Sequence, residues 1–161
     1  MPGFLLLLIG LSLDSLKVYL NKNFSCYFQE IAVYKEIATS DTFIGTITRK
    51  DNTLIFEIKK PTREVYKILN DTLFVEANGK VTKEPLSDQA LKFLNFSFLE
   101  DTTTYRIATN DSILYVYPRD STDFNHLKLT IKGYIPKKLE LDDNQRKLIF
   151  KFSRWQFHKD Q

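Results

Sequence analysis

The hydrophobic pattern divides the chain into an apolar start and a long series of short, alternating segments. Residues 4–11 form a compact apolar run that is too short to span a bilayer. The run has the character of the hydrophobic region of a secretory signal, with Gly10 and Ser12 as small residues near a cleavage site. We therefore expect residues 1–12 to be a signal peptide and residues 13–161 to form one domain. The alternative interpretation of the run is a buried first strand or helix.

Two segments have the periodicity of an amphipathic helix. Ser12 can cap a helix that runs through Asn23, and Ser87, shortly after Pro85, can begin a second one. Spacings of three and four residues place leucines on one face of each helix. These leucines are Leu13, Leu16 and Leu20 in the first helix, and Leu91 and Leu94 in the second. Each helix therefore needs an apolar surface to cover.

Most of the remaining chain alternates apolar and polar residues with the period of a β-strand. About ten strands are predicted, at residues 24–34, 42–50, 54–60, 65–69, 72–76, 104–109, 112–117, 127–131, 136–141 and 147–157. In the third of these strands Leu54, Phe56 and Ile58 share one face. The pair Asn78 and Gly79 favours a type I′ hairpin turn.

This order of elements favours a mainly β (α+β) fold, in which sequential hairpins build one strongly curved antiparallel sheet. Such a sheet has a concave face that is too large for its own side chains to fill. The two helices can then cover that face as a plug or a lid. An architecture of this kind stores an apolar ligand rather than performing chemistry.

Composition and charge agree with a β domain and exclude some partners. Aromatic residues make up 14% of the chain, and they favour the half-buried surface of a sheet. The formal net charge of +3 comes from interleaved charges of both signs, so we expect no nucleic-acid partner. The basic clusters at 59–67 and 147–154 are interpreted as a solvated outer face. The single cysteine, Cys26, is expected to be a small buried hydrophobic residue.

The residues that usually carry catalysis form no recognisable constellation. His126 and His158 lack the spacing of a zinc site and are predicted to be surface residues. The acidic pairs at 100–101 and 142–143 lie at predicted turns, where carboxylates bond to their own backbone. The sequence has no nucleophile elbow and no glycine-rich phosphate loop. We therefore predict no enzyme activity, no catalytic residues, no metal and no cofactor.

The order and spacing of these segments, from Leu13 to about Phe157, resemble the periplasmic lipoprotein carrier family, LolA-type. In that family an N-terminal helix leads into an aromatic strand, where this chain has FSCYFQ at residues 24–29. A Gly-containing strand then passes through a turn into an aromatic strand that ends in Pro, here GTI at 45–47 and LIFEIKKP at 54–61. The later matching segments are 65–69, 73–75, 87–94, 127–131, 135–142 and 148–152.

The resemblance implies an open, unclosed β-barrel with short helices as a lid, exported to the periplasm. It implies a chaperone that takes acylated lipoproteins from an inner-membrane ATP-driven transporter. The cargo is then delivered to an outer-membrane acceptor or to the membrane surface. The acyl chains would rest on the concave apolar face after the lid is displaced, and we expect the carrier to be a monomer.

The residues expected to bind acyl chains lie on the aromatic strand and on the two predicted helices. They are Leu54, Phe56 and Ile58 on the strand, with Leu13, Leu16, Leu20, Leu91 and Leu94 on the helices. A cavity lining and an ordinary core have the same sequence pattern, so both interpretations stay open. The family often has an Arg that bonds to the lid, and Arg49 and Lys50 are both candidates for that role.

A binding module that is not a carrier is the alternative function on the same fold. Such a module would sense lipid or unfolded lipoprotein instead of shuttling it. A small hydrolase is the third hypothesis, and no group of residues in the sequence supports it.

Overall fold

The computed structural model describes residues 21–88, 100–101, 103–110, 112–120, 124–133 and 135–158. These residues form one antiparallel 11-stranded sheet. The strands are β1 Phe24–Tyr34, β2 Thr39–Lys50, β3 Thr53–Lys60, β4 Glu64–Leu69, β5 Thr72–Ala77, β6 Lys80–Pro85, β7 Tyr105–Asn110, β8 Ile113–Pro118, β9 His126–Lys132, β10 Ile135–Asp142 and β11 Arg146–Phe157. Within this described part, no helix has the length and apolar character needed to cross a membrane.

The strand order is β6-β5-β4-β3-β2-β1-β11-β10-β9-β8-β7. Hairpins therefore build the sheet outward from β1 to the edge strand β6. The chain then passes to the opposite edge at β7, and hairpins return it to β11, which pairs with β1 along its whole length. The described sheet is open, since β6 and β7 are its two edges.

One face of the sheet carries all the buried strand side chains, and we call it the inner face. The alternation that was predicted for the strands produces this division, because successive side chains point to opposite faces. Two clusters of buried residues lie on the inner face. The β7–β9 cluster contains Tyr105, Leu114, Val116, Phe124, Leu127 and Leu129. The β1–β3 cluster contains Phe24, Cys26, Phe28, Ile47 and Leu54.

Trp155 joins the two clusters, because its indole ring packs against both. The ring lies 5.0 Å from that of Phe24, and Nε1 donates a hydrogen bond to the Pro136 carbonyl at 3.0 Å. A bulge makes this position possible. Arg154 adopts a positive φ of 53° at the register shift between β1 and β11. The extra residue lets both Phe152 and Trp155 pack on the inner face, although they are three residues apart.

Gly45 allows a close approach between β2 and β3. A Cβ atom at this position would lie 1.9 Å from the Glu57 carbonyl oxygen, so no other residue fits without a backbone shift. The pairing of β2 with β3 is also irregular here, with a register shift between Ile44 and Gly45. The Gly-containing strand of the sequence pattern is therefore a packing requirement of this fold.

The structure confirms the mainly β fold and the ten predicted strands, with small differences in their ends. Asn78 and Gly79 have φ values of 53° and 74°, as a type I′ turn requires. Strand β6 was not predicted, because its exposed residues KVTKEP show no apolar alternation. The predicted helix through Asn23 was wrong at its end, since residues 21–23 form a turn and bends before β1.

The remaining sequence predictions fall on other parts of the chain. The signal peptide at 1–12 and the lid leucines Leu13, Leu16, Leu20, Leu91 and Leu94 lie outside the described residues. The helical lid therefore stays a prediction.

Cys26 is buried with 2% of its surface exposed, which confirms that it is a small residue of the core.

Candidate functional site

Strand pairing aligns the inner-face side chains of β1–β5 into three rows that cross the strands. Directly paired residues point to the same face and contact one another. The first row is Phe24, Arg49, Leu54, Ile68 and Leu73, the second is Cys26, Ile47, Phe56, Tyr66 and Val75, and the third is Phe28, Gly45, Ile58, Glu64 and Ala77. Each row begins with a buried side chain on β1 and ends with half-buried side chains on β4 and β5.

The half-buried end of these rows is an apolar surface that we call the shelf. It consists of Phe56, Ile58, Tyr66, Ile68, Leu73 and Val75. No side chain on β4, β5 or β6 is fully buried in the described structure. The shelf is therefore continuous with the β1–β3 cluster on one side and reaches the polar edge strand on the other. Apolar side chains in this position can cover a further apolar surface.

The three predicted strand residues all lie on the inner face, but they differ in exposure. Leu54 is buried within the β1–β3 cluster, where it acts as core. Phe56 and Ile58 are half-buried and pack against the same cluster from the shelf side. Leu54 is therefore part of the core, and the acyl-binding role of Phe56 and Ile58 stays a prediction.

Arg49 and Lys50, the two candidates for bonding to the lid, lie on opposite faces of β2. Arg49 is on the inner face, paired with Phe24 on one side and Leu54 on the other. Its side chain is half-buried, and this burial lowers the pKa of the guanidinium from its usual value. Lys50 is exposed at the end of the strand. Arg49 is therefore the candidate that borders the shelf.

A polar pair that the sequence pattern did not predict lies at the other border of the shelf. The Tyr66 hydroxyl donates a hydrogen bond to Glu64 Oε2 at 2.6 Å. This bond is the largest cause that raises the pKa of Tyr66 to about 12, and partial burial adds to it. The pair lies beside Ile58 and Phe56, so the phenol and carboxylate are available to a polar group that accompanies an apolar ligand.

The alternation of apolar and polar residues does not identify the other shelf residues, which lie on β4 and β5. Strands β4 and β5 carry apolar residues on both faces, so alternation does not identify the inner one. On the outer face, Val65, Leu69, Phe74 and Val81 contribute to a pocket of about 260 Å³ together with Lys67 and Glu76. This pocket lies on the opposite face of the sheet from the shelf.

Titratable groups elsewhere have structural explanations. Burial raises the pKa of the Cys26 thiol to about 12, so it is protonated near neutral pH and is a poor nucleophile. Burial also raises the pKa of Glu30, and the charge of Arg146 opposes this effect. Asp143 accepts bonds from the backbone N–H groups of Gln145 and Arg146, which confirms its predicted role in a turn.

The histidines do not form a site with these groups. His158 Nε2 lies 3.3 Å from Ser25 Oγ in an exposed position, and the His126 ring packs 6.3 Å from that of Tyr117. Within the described ranges, no group of three or more His, Cys, Asp and Glu side chains could hold a metal ion. The apolar shelf, with Arg49 and the Tyr66–Glu64 pair at its borders, is therefore the candidate site.

Two solved structures align with this chain over most of its length. A LolA superfamily protein from Nitrosomonas europaea aligns with a TM-score of 0.52 and 13% identity, covering 93% of this chain and 93% of that one. The lipoprotein LppX from Mycobacterium tuberculosis aligns with a TM-score of 0.49 and 12% identity, covering 99% of each chain. No protein-family model matches the sequence, and no curated protein matches it significantly. The chain has a LolA-type fold, as the sequence resemblance predicted.

Proposed function

We propose that this protein is an exported carrier, which binds the acyl chains of lipoproteins and shuttles them from the inner to the outer membrane. The observation that supports the proposal most directly is the shelf. Six apolar or aromatic side chains stand half-buried on the inner face of an open sheet with a LolA-type fold. A soluble domain usually covers such a face, and an acyl chain is a suitable cover.

The energetics of apolar burial favour this ligand. Each methylene group removed from water contributes about 0.8 kcal/mol, so a long acyl chain gains enough to displace a short amphipathic helix. Apart from the Tyr66 hydroxyl, which bonds to Glu64, the side chains of the shelf offer apolar contacts, as a ligand without specific polar groups requires. At its borders, Arg49 and the Tyr66–Glu64 pair can contact the polar part of a lipoprotein N-terminus.

The remaining parts of the proposal concern segments beyond the described residues. Residues 1–12 would direct export to the periplasm, and the helices that carry Leu13, Leu16, Leu20, Leu91 and Leu94 would cover the shelf as a lid. Arg49, rather than Lys50, would bond to that lid, because Arg49 lies on the inner face. An inner-membrane ATP-driven transporter would load the carrier, and an acceptor at the outer membrane would receive the cargo.

Acyl binding can be tested with the full chain expressed with its leader and purified from periplasm. Native mass spectrometry should detect bound lipid or acylated protein, and a fluorescent fatty acid should compete for the site. The variant Phe56→Glu places a carboxylate on the shelf and should abolish binding while the protein stays folded. The matched control is Ile55→Glu, which places the same charge on the outer face of the same strand and should retain binding.

Equal binding by both variants, or an absence of ligand in the wild-type protein, would contradict the acyl-binding proposal. Far-UV circular dichroism identifies a variant that fails because it does not fold. Transport is tested separately, by incubating the protein with inner-membrane vesicles that contain a labelled lipoprotein. A protein that binds acyl chains but releases no lipoprotein from the vesicles would be a sensing module instead of a carrier.

A further inference from the structure

The outer face of β7–β11 carries an excess of positive charge. At the regular outer positions of these strands, the described residues include six basic side chains and two acidic ones. The basic side chains are Arg106, Lys128, Lys132, Lys138, Lys147 and Lys151, and the acidic ones are Glu140 and Asp142. The formal charge of the whole chain is +3, so this face holds a positive charge that the rest of the molecule partly balances.

The centre of this basic face is a carboxylate surrounded by lysines. Glu140 lies 3.8 Å from Lys128 Nζ, 3.6 Å from Lys138 Nζ and 3.7 Å from Lys147 Nζ. One carboxylate neutralises one ammonium group, which leaves two positive charges in a small area. Glu140 therefore holds the three ammonium groups close together while a net positive charge remains. An anion outside the protein can bind to that charge.

Two tyrosines lie among these cations. The rings of Tyr115 and Tyr117 stack at 6.2 Å, with the guanidinium of Arg106 4.7 Å above Tyr117 and Lys128 Nζ 5.9 Å above Tyr115. Single-stranded nucleic acids need a free aromatic face on which bases stack. Here cations occupy the ring faces, whereas a phenol beside basic groups suits the headgroup region of a bilayer.

We propose that the basic face of β7–β11 docks on an anionic phospholipid bilayer. This docking surface rests on the proposed function, since a carrier of acyl chains must load or release them at a membrane. Docking through the outer face leaves the shelf on the inner face unobstructed. Lys and Arg side chains near an anionic membrane are attracted within about a Debye length, so the contact should be weak, reversible and sensitive to salt.

The test is flotation of the full-length protein with vesicles of phosphatidylcholine and phosphatidylglycerol in a 3:1 ratio. The protein should float with these vesicles in about 50 mM NaCl and should not float in about 500 mM NaCl, where charges are screened. Vesicles of phosphatidylcholine alone should not bind it. The triple variant Lys138→Gln, Lys147→Gln, Lys151→Gln should weaken binding by about tenfold or more.

The matched control removes the same charge from the outer face of the other half of the sheet. The triple variant Lys59→Gln, Lys67→Gln, Lys83→Gln changes three exposed lysines and should retain most of the binding. Equal losses in the two triple variants would overturn the assignment of the surface. Salt-insensitive binding, no binding to anionic vesicles, or tighter binding to a fluorescent single-stranded oligonucleotide would overturn the bilayer as its partner.

A fatty-acid binding assay on the same proteins separates this proposal from the proposed function. The Lys138, Lys147 and Lys151 triple variant should bind the fluorescent fatty acid with wild-type affinity, because the changed residues lie on the outer face. If the wild-type protein binds vesicles through this face but binds no fatty acid, the docking surface stands and the carrier function fails. If it binds fatty acid but no vesicles, the carrier function stands and the docking surface fails.

Discussion

The β7–β9 cluster and the shelf lie on the same face of one sheet, but the cluster is buried and the shelf is only half-buried. Leu114 and Val116 in the β7–β9 cluster are 1% and 0% exposed. Ile68 and Leu73 on the shelf are half-buried, although they have the same aliphatic character and the same alternating position. An apolar strand face therefore becomes core only where another element covers it.

The covering elements explain this difference. In the β7–β9 cluster, Phe124 from the loop before β9 stacks on Tyr105 at 6.2 Å, and Trp155 packs against the same cluster from β11. The shelf instead borders the edge strand β6, where the inner-face residues Thr82 and Glu84 are exposed and polar. We therefore expect the β7–β9 cluster to determine the stability of the fold and the shelf to be available for a ligand.

Removing methyl groups from the two regions tests this comparison directly. Leu114→Ala should lower the free energy of unfolding by about 3 to 4 kcal/mol, because it leaves a cavity in a fully buried site. Ile68→Ala should cost about 1 kcal/mol, since the half-buried site loses less apolar burial and water can fill the space. Urea unfolding followed by the fluorescence of Trp155, the single tryptophan, gives both values.

Ligand affinity should show the opposite order. Ile68→Ala should weaken fatty-acid binding several-fold, whereas folded Leu114→Ala should bind with nearly wild-type affinity. If Ile68→Ala destabilises the protein as much as Leu114→Ala does, the shelf is ordinary core and the difference between the two regions is lost.

Gly45 lies in the third row between the buried Phe28 and the half-buried Ile58 of the shelf. Gly45→Ala should destabilise the protein by about 2 to 3 kcal/mol, because the new Cβ would overlap the Glu57 carbonyl oxygen and force β2 and β3 apart. The shift should also reduce acyl binding, since Ile58 pairs with Gly45. Thr46→Ala is the control on the outer face of the same strand. Equal stability of the two variants in urea would show that the close approach is relaxed in solution.

Sequence patterns predicted most of the fold because its strands are bounded by clear turns. The alternation around Leu54, Phe56 and Ile58 identified an inner face, and Asn78–Gly79 identified the turn after β5. The edge strand β6 was missed because a strand that is paired on one side and exposed on both faces does not need an apolar period. Backbone pairing with β5 holds this strand in the sheet.

The candidate site was only partly predictable. Phe56 and Ile58 were found from their strand, whereas Tyr66, Ile68, Leu73 and Val75 were not, because β4 and β5 carry apolar residues on both faces. Which of Arg49 and Lys50 faces inward depends on a strand register that sequence does not give. The separation of core from shelf depends on covering elements from distant parts of the chain.

The second row of the sheet allows a comparison by pH, because Cys26 at its β1 end and Tyr66 on β4 both have raised pKa values, for different reasons. The pKa of Cys26 is raised to about 12 by burial, while that of Tyr66 is raised to about 12 first by its bond to Glu64. An unfolded thiol ionises at about pH 8.5 and an unfolded phenol at about pH 10. A raised folded-state pKa means that stability is complete below the unfolded value and falls as the pH rises towards the folded one.

Between pH 8.5 and 10, the Cys26 thiol should therefore cause most of the loss of stability. Urea unfolding at pH 7 and pH 10 should show that Cys26→Ala loses about 2 kcal/mol less stability than the wild-type protein over this interval. Tyr66→Phe should follow the wild-type pH dependence, because the phenol begins to contribute only above about pH 10. If Cys26→Ala and the wild-type protein lose stability equally, water reaches the thiol, and the buried end of the row is as open as the shelf.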